Sequence, residues 1–315
     1  MTVSSLREIT LGVEDLDARI RQFETGCGLK TLAAGPLLSM TASRLFDAQQ
    51  VTRAAVLGRP EIAASPRIRL VQVSALPAAR PHGLDAPGPV GVGFTTKGIE
   101  AVRDRLEAAS VRFVSAPLLL TPVATATAEG SAPGPQRYET FGQAADGDYV
   151  VLIERVNAET PYGSTSSDCS EPLHASFIVT NLDACTHFMS DVLEHETLIQ
   201  DSCSGPPFDR LLGLPHDVSF RFAMPHRPGV ATGRVVFMEF EKRRQPMAQT
   251  PGLARGLCRL RYDTQDLHVT LARVPGGGGS LVRGPASVDD PILGRGLVAL
   301  VRSPFGVLIE LWQDA

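Results

Sequence analysis

One carboxylate in an apolar strand is the chemical feature from which the sequence is best read. The C-terminal stretch Ser303-Pro304-Phe305-Gly306-Val307-Leu308-Ile309-Glu310-Leu311-Trp312-Gln313 reads as a buried strand interrupted by Glu310. A charge at such a place is costly unless it is paired, bound to a metal or held as a neutral acid. Other chemically capable residues carry less. The glycine-rich run from Pro275 to Ser280 lacks the lysine of a phosphate-binding GxxxxGK[ST] loop and reads as a flexible turn. His187 and His195 fall on an expected helix and His268 at a helix start, positions that suit surface or packing roles. The five cysteines, Cys27, Cys169, Cys185, Cys203 and Cys258, include no CxxC pair and read as reduced thiols of a cytoplasmic protein. No Ser-His-Asp or Cys-His spacing stands out. Strand alternation is expected to turn Cys258 to the face opposite its neighbour Arg259.

The bulk composition sets the frame for these groups. With 315 residues, the chain is long enough for two cores. Its 43% hydrophobic and 20% charged residues are ordinary for a soluble globular protein. The net charge of -4, from 30 basic and 34 acidic residues without a long single-sign block, leaves no electrostatic footprint for nucleic acid or a membrane surface. The longest apolar runs, such as 116–120, are too short to span a bilayer. The stretch from Met1 to Arg7 has no charged start leading into an apolar core, so no secretion signal is expected. The expected setting is the cytoplasm.

The elements that must position Glu310 form a repeat. The stretch from Leu6 to Ala18 aligns with that from Pro172 to Ala184, Glu8 falling on His174 and Leu16 on Leu182 at a constant shift of 166 residues. In both, an alternating strand runs into an N-cap residue, Asp15 or Asn181, and then an amphipathic helix. The stretch from Gly98 to Pro117 aligns likewise with that from Asp266 to Pro285, Ile99 falling on Leu267 at a shift of 168. Their preceding strands, 90–96 and 258–264, keep this register, and so, with a small length change, do the closing strands at 146–154 and 305–312. Pro/Gly/Ser-rich joints at 76–89, 157–172 and 243–256 separate four units, expected to pair as first with second and third with fourth.

A βαβββ unit repeated four times, with helices opening on Asp-Leu-type starts and a closing Pro-Phe-Gly-Val-Leu-Ile-Glu-Leu strand, resembles the vicinal oxygen chelate superfamily. That group holds glyoxalase I, bleomycin-resistance proteins and two-domain extradiol dioxygenases. The resemblance implies an α+β fold of four βαβββ modules paired into two half-open barrel domains. Residues 1–156 would form an N-terminal, structural domain, and residues 173–315 a C-terminal domain carrying the active site. Fold alone does not settle the chemistry.

In the dioxygenase branch the resemblance implies a metal held by two His and one Glu. Residue by residue, His174 and Glu310 match two of these positions, whereas the second His position falls on Arg259, which is always protonated and is no normal ligand. The closing-strand position of the third unit is Val236. In the first half the matching positions are Glu8, Gly91, Arg69 and Val151, which make no metal site. Three readings stay open. Without a metal, Arg259 replaces its charge and His174 or Glu310 moves a proton next to a carbonyl, giving isomerase or lyase chemistry. Alternatively, one divalent metal, iron or manganese, sits on His174 and Glu310 with a third ligand from His226, His216 or Asp263, as in ring-cleaving dioxygenases. In the third reading the protein binds or sequesters a small molecule without catalysis, and Arg259–Glu310 is a buried ion pair. In every case the expected partner is a small apolar or aromatic compound bearing a carbonyl, phenolate or carboxylate, and a homo-oligomer stays open. Tyr262 and Trp312 are expected on the faces of Arg259 and Glu310. Phe208, Phe220 and Phe222, with Leu211 and Leu212, are expected to line the pocket.

Overall fold

The computed structural model describes residues 2–46, 51–62, 65–73, 83–84, 86–121, 136–156, 167–214, 218–230, 232–241 and 253–314. The three joints expected at 76–89, 157–172 and 243–256 lie largely outside the described residues. Four strand–helix–strand units follow one another. The first is β1 (Val3–Val13), α1 (Leu16–Cys27), β2 (Lys30–Pro36), α2 (Ser39–Leu45), β3 (Val51–Gly58) and β4 (Arg67–Val73). The second is β5 (Gly88–Thr95), α3 (Ile99–Ala108), β6 (Arg112–Phe113), β7 (Leu118–Leu120), β8 (Arg137–Gln143) and β9 (Tyr149–Arg155). The third is β10 (His174–Ile178), α4 (Leu182–Asp191), β11 (Glu196–Ser204), α5 (Pro206–Leu212), β12 (Ser219–His226) and β13 (Arg234–Phe240). The fourth is β14 (Gly256–Thr264), α6 (Leu267–Arg273), β15 (Ser280–Asp290), β16 (Gly294–Arg302) and β17 (Leu308–Asp314). No helix among the described residues is long and apolar enough to cross a membrane.

Local chemistry explains where the principal helix of each unit begins. Asp15, Asn181 and Asp266 each accept a hydrogen bond from the backbone N–H three residues on, satisfying one of the donors that a helix start leaves open. The second unit begins its helix at Gly98, which has no side chain to do this. There Glu154 of β9 accepts from the Ile99 N–H at 2.6 Å. Gln313 of β17 does the same for Leu267 at 2.8 Å, so the last strand of a unit also fixes its helix.

The α+β fold is as expected, but the units pair differently. One curled sheet has the order β15-β16-β17-β14-β1-β4-β3-β2, joining the fourth unit to the first. The other runs β11-β12-β13-β10-β5-β9-β8-β6, with β7 on β8, joining the third unit to the second. The expected division into residues 1–156 and 173–315 is therefore not how the sheets are assembled. The antiparallel seams β1–β14 and β10–β5 each cross between the two halves. Self-similarity identifies the units, but each unit offers the same kind of edge, so the repeat does not choose the partner. One apolar core draws Phe23, Phe94, Phe177, Phe237 and Phe305 from all four units and lies under both sheets. The opposite, concave faces of the two curled sheets each carry a smaller apolar cluster of their own, and these faces are the two clefts.

Candidate functional site

The ladders place the residues of each cleft. In the first sheet Glu8 lies opposite Arg261 and Thr10 opposite Arg259. In the second, His174 lies opposite Gly93 and Ser176 opposite Gly91. The flanking parallel ladders repeat the same relation: Thr10 beside Arg69 and Arg261 beside Glu310 in one sheet, Ser176 beside Val236 and Gly93 beside Val151 in the other. The alignment of units read from the sequence thus holds at the level of single residues. Its consequence is that Glu8, Arg69, Arg259 and Glu310 belong to one cleft, and His174, Val236, Gly91 and Val151 to the other.

The first cleft is built around Arg69. This guanidinium, fully buried, donates from Nη1 to both Glu310 oxygens at 2.9 and 2.8 Å and forms an ion pair through Nη2 with Glu8 Oε1. Arg259, only 3% exposed, reaches Glu310 Oε1 at 3.4 Å and donates to the Leu45 carbonyl at 2.5 Å. Its guanidinium also lies 4.5 Å from the centre of the Phe46 ring, a cation–π contact. Leu45 and Phe46, at the end of α2, pack with Leu293 and Trp312 into an apolar lining. Arg261, stacked 4.0 Å over Trp312, is neutralised by Asp263 at 3.0 Å. Burial by itself would raise the Glu310 carboxyl, but the charges of Arg69 and Arg259 outweigh it and hold Glu310 below the usual carboxylate range. Burial works against the charge on Arg69 too, and Glu310 and Glu8 hold it protonated.

A metal does not fit this set. Two of its four members are guanidiniums, which have no lone pair to offer, and both carboxylates are already committed to them. The four side chains balance in charge, so a divalent cation would add an uncompensated charge inside a sealed site. Among the described residues no group of three or more His, Cys, Asp or Glu is placed to hold a metal ion.

The second cleft is mostly apolar. Phe208 of α5 meets Phe220 edge-on at 5.5 Å, and Phe220 meets Phe240 at 5.4 Å. Phe222, Leu211, Leu212, Val151 and Val236 belong to the same cluster. His174 occupies the floor. Its ring covers Gly93 so closely that a Cβ there would come within 2.0 Å of the ring. Burial, then the charges of Arg234 and Arg137, pulls its pKa down to about 3, so the ring is neutral at ordinary pH. Arg137 is paired with Glu139 at 3.0 Å.

Several expectations are corrected by this geometry. His174 does not converge with Arg259 and Glu310, because β10 lies in the other sheet. Of the further ligands considered, Asp263 is held by Arg7 and Arg261, His226 lies on β12 of the second sheet, and His216 lies outside the described residues. Trp312 does share the Glu310 face. Tyr262 is three residues from Arg259, so alternation sends it to the main core, edge-on to His195 at 5.4 Å. His195 is a packing residue, 2% exposed, while His268 is exposed as expected. Cys258 was expected opposite Arg259 but joins Phe46 and Trp312 in the first cleft, because the β1–β14 register slips between Arg259 and Leu257. Such a bulge puts two successive residues on one side. Glu8 and Arg69, dismissed as ligands, are the residues the sequence reading passed over. Opposite charges at matched positions of two strands were the signal for them.

No protein-family model matches the chain, and no curated protein matches it. The likenesses are to solved structures. Glyoxalase I from Zea mays is 16% identical with a TM-score of 0.66, the match covering 99% of this chain and 92% of that one. A protein from Bacillus subtilis described as a dioxygenase is 14% identical with a TM-score of 0.56, covering 99% and 86%. At such identities the likeness is one of fold.

Proposed function

Taking the vicinal oxygen chelate fold as the premise, we propose that this protein binds a small apolar or aromatic molecule without using a metal and without chemically changing it. The observation that carries this reading is Arg69 bridging Glu8 and Glu310, with Arg259 on the same carboxylate. A closed network of two guanidiniums and two carboxylates stands at the strand positions where the fold family is expected to carry metal ligands. The iron or manganese reading thereby loses its donor set.

The proton-transfer reading loses its base. A general base works best with a pKa near the operating pH. Arg69 and Arg259 hold Glu310 below the carboxylate range, and His174 is held at about 3. The two groups also face different clefts, so neither can return the proton that the other takes. Binding needs neither condition, and the aromatic second cleft supports it.

The test combines metal analysis with ligand-observed NMR in deuterated buffer. Protein purified without chelator is expected to carry far less than one iron, manganese, zinc or nickel per chain. Aromatic carbonyl and carboxylate compounds are expected to bind saturably with no loss of signal from their acidic C–H positions. A near-stoichiometric metal, or deuterium exchange that depends on the protein, would overturn the reading.

A further inference from the structure

Four arginines on the concave strand faces each have a carboxylate partner. Arg69 has Glu8 and Glu310, Arg259 has Glu310, Arg261 has Asp263 and Arg137 has Glu139. Arg234, in the second cleft, has no carboxylate partner among the described residues. Its Nη1 donates to the Met224 thioether at 3.6 Å, a weak acceptor, and its Nε is buried without a hydrogen-bond partner. It stands directly beside His174 in the β10–β13 ladder. Phe222, Met224, Arg234 and Val236 are all half-buried, so solvent reaches this part of the cleft. A guanidinium partly removed from water and left unpaired is a standing cost that an anion would remove.

We propose that the second cleft is a binding site for an aromatic monocarboxylate, its carboxylate on the Arg234 guanidinium and its ring against Phe222 and Phe208. Neutral His174 supplies one hydrogen bond to the carboxylate without adding charge. The first cleft cannot take the same ligand, because its arginines are already matched by carboxylates. This inference rests on the binding reading above and narrows it to one ligand class.

The test is calorimetric titration of 2-naphthoate and its neutral counterpart 2-naphthamide. Wild type is expected to bind naphthoate about tenfold tighter than naphthamide or better, the scale of a charge-assisted contact. Arg234→Gln is expected to abolish the preference while naphthamide binding persists, and Arg234→Lys to retain part of it. Persistent naphthamide binding also shows that the glutamine variant is folded. Equal binding of acid and amide by wild type, or an unchanged preference in Arg234→Gln, would overturn the inference and leave the binding reading standing. Binding of neither compound would also overturn it. Binding that appears only after manganese or iron is added would instead overturn the metal-free reading.

Discussion

The two clefts occupy equivalent places in the repeat and have opposite contents. At four matched strand positions one holds Glu8, Arg69, Arg259 and Glu310, and the other holds His174, Val236, Gly91 and Val151. The first is closed: its four charged groups are at most 4% exposed. The second has half-buried Phe208, Phe222 and Val236 along it, and Arg234 without a carboxylate partner among the described residues. The comparison teaches that one scaffold position can be spent on joining strands or left open for a ligand. A charge network that ties β1, β4, β14 and β17 together commits its carboxylates to guanidiniums rather than to a metal or a proton.

The comparison breaks most severely at Arg69. Arg69→Met leaves buried Glu8 unpaired and Glu310 with only the 3.4 Å Arg259 contact, and is expected to destabilise the protein by about 3–5 kcal/mol in urea unfolding. Adding Glu8→Gln and Glu310→Gln should recover much of that loss, since uncompensated charge is its cause. If Arg69→Met alone is nearly neutral, the network does not hold the first sheet.

Acid should separate the clefts next. His174 has a folded pKa of about 3 against an ordinary value of 6.5. Between these values the unfolded chain binds a proton that the folded protein refuses, so stability falls as pH drops through that window. From about pH 6.5 to 4.5 the loss should be about 2–3 kcal/mol, and His174→Gln should flatten that part of the curve. Glu310 acts in the same direction at lower pH. Its depressed pKa contributes stability that is present above its ordinary 4.5 and is lost as the pH falls further.

Smaller effects sharpen the picture of the second cleft. Gly93→Ala places a methyl within 2.0 Å of the His174 ring, which must move. We expect a loss of about 1–2 kcal/mol and weaker naphthoate binding, read by calorimetry. Val236→Ala, at the position that matches Arg69, should cost only about 1 kcal/mol, the scale of trimming a half-buried side chain. A loss as large as that of Arg69→Met would mean that the two positions carry equal structural weight.

Much of this was legible in the residues. The shifts of 166 and 168 read from the sequence are the relations the ladders display, Glu8 with His174 and Arg259 with Gly91. Glu310 was recognisable as a buried charge needing a partner, since nothing else explains a carboxylate between Ile309 and Leu311. The faces of Tyr262 and Cys258 were not legible to the same degree. Tyr262 follows simple alternation counted from Arg259, whereas Cys258 departs from it at a bulge that no local pattern announces.

By itself the sequence determined the four units, their helix starts at Asp15, Asn181 and Asp266, and the residue that stands at each matched position. Periodicity and capping are local, so a single strand and its following helix suffice to express them. Which units share a sheet was decided only in three dimensions. All four offer similar edges, and the choice depends on long-range packing across the β1–β14 and β10–β5 seams. That choice separated His174 from Glu310 and brought Arg69 to it, so that Glu310 stands in a buried ion-pair network and His174 on the other, largely apolar face.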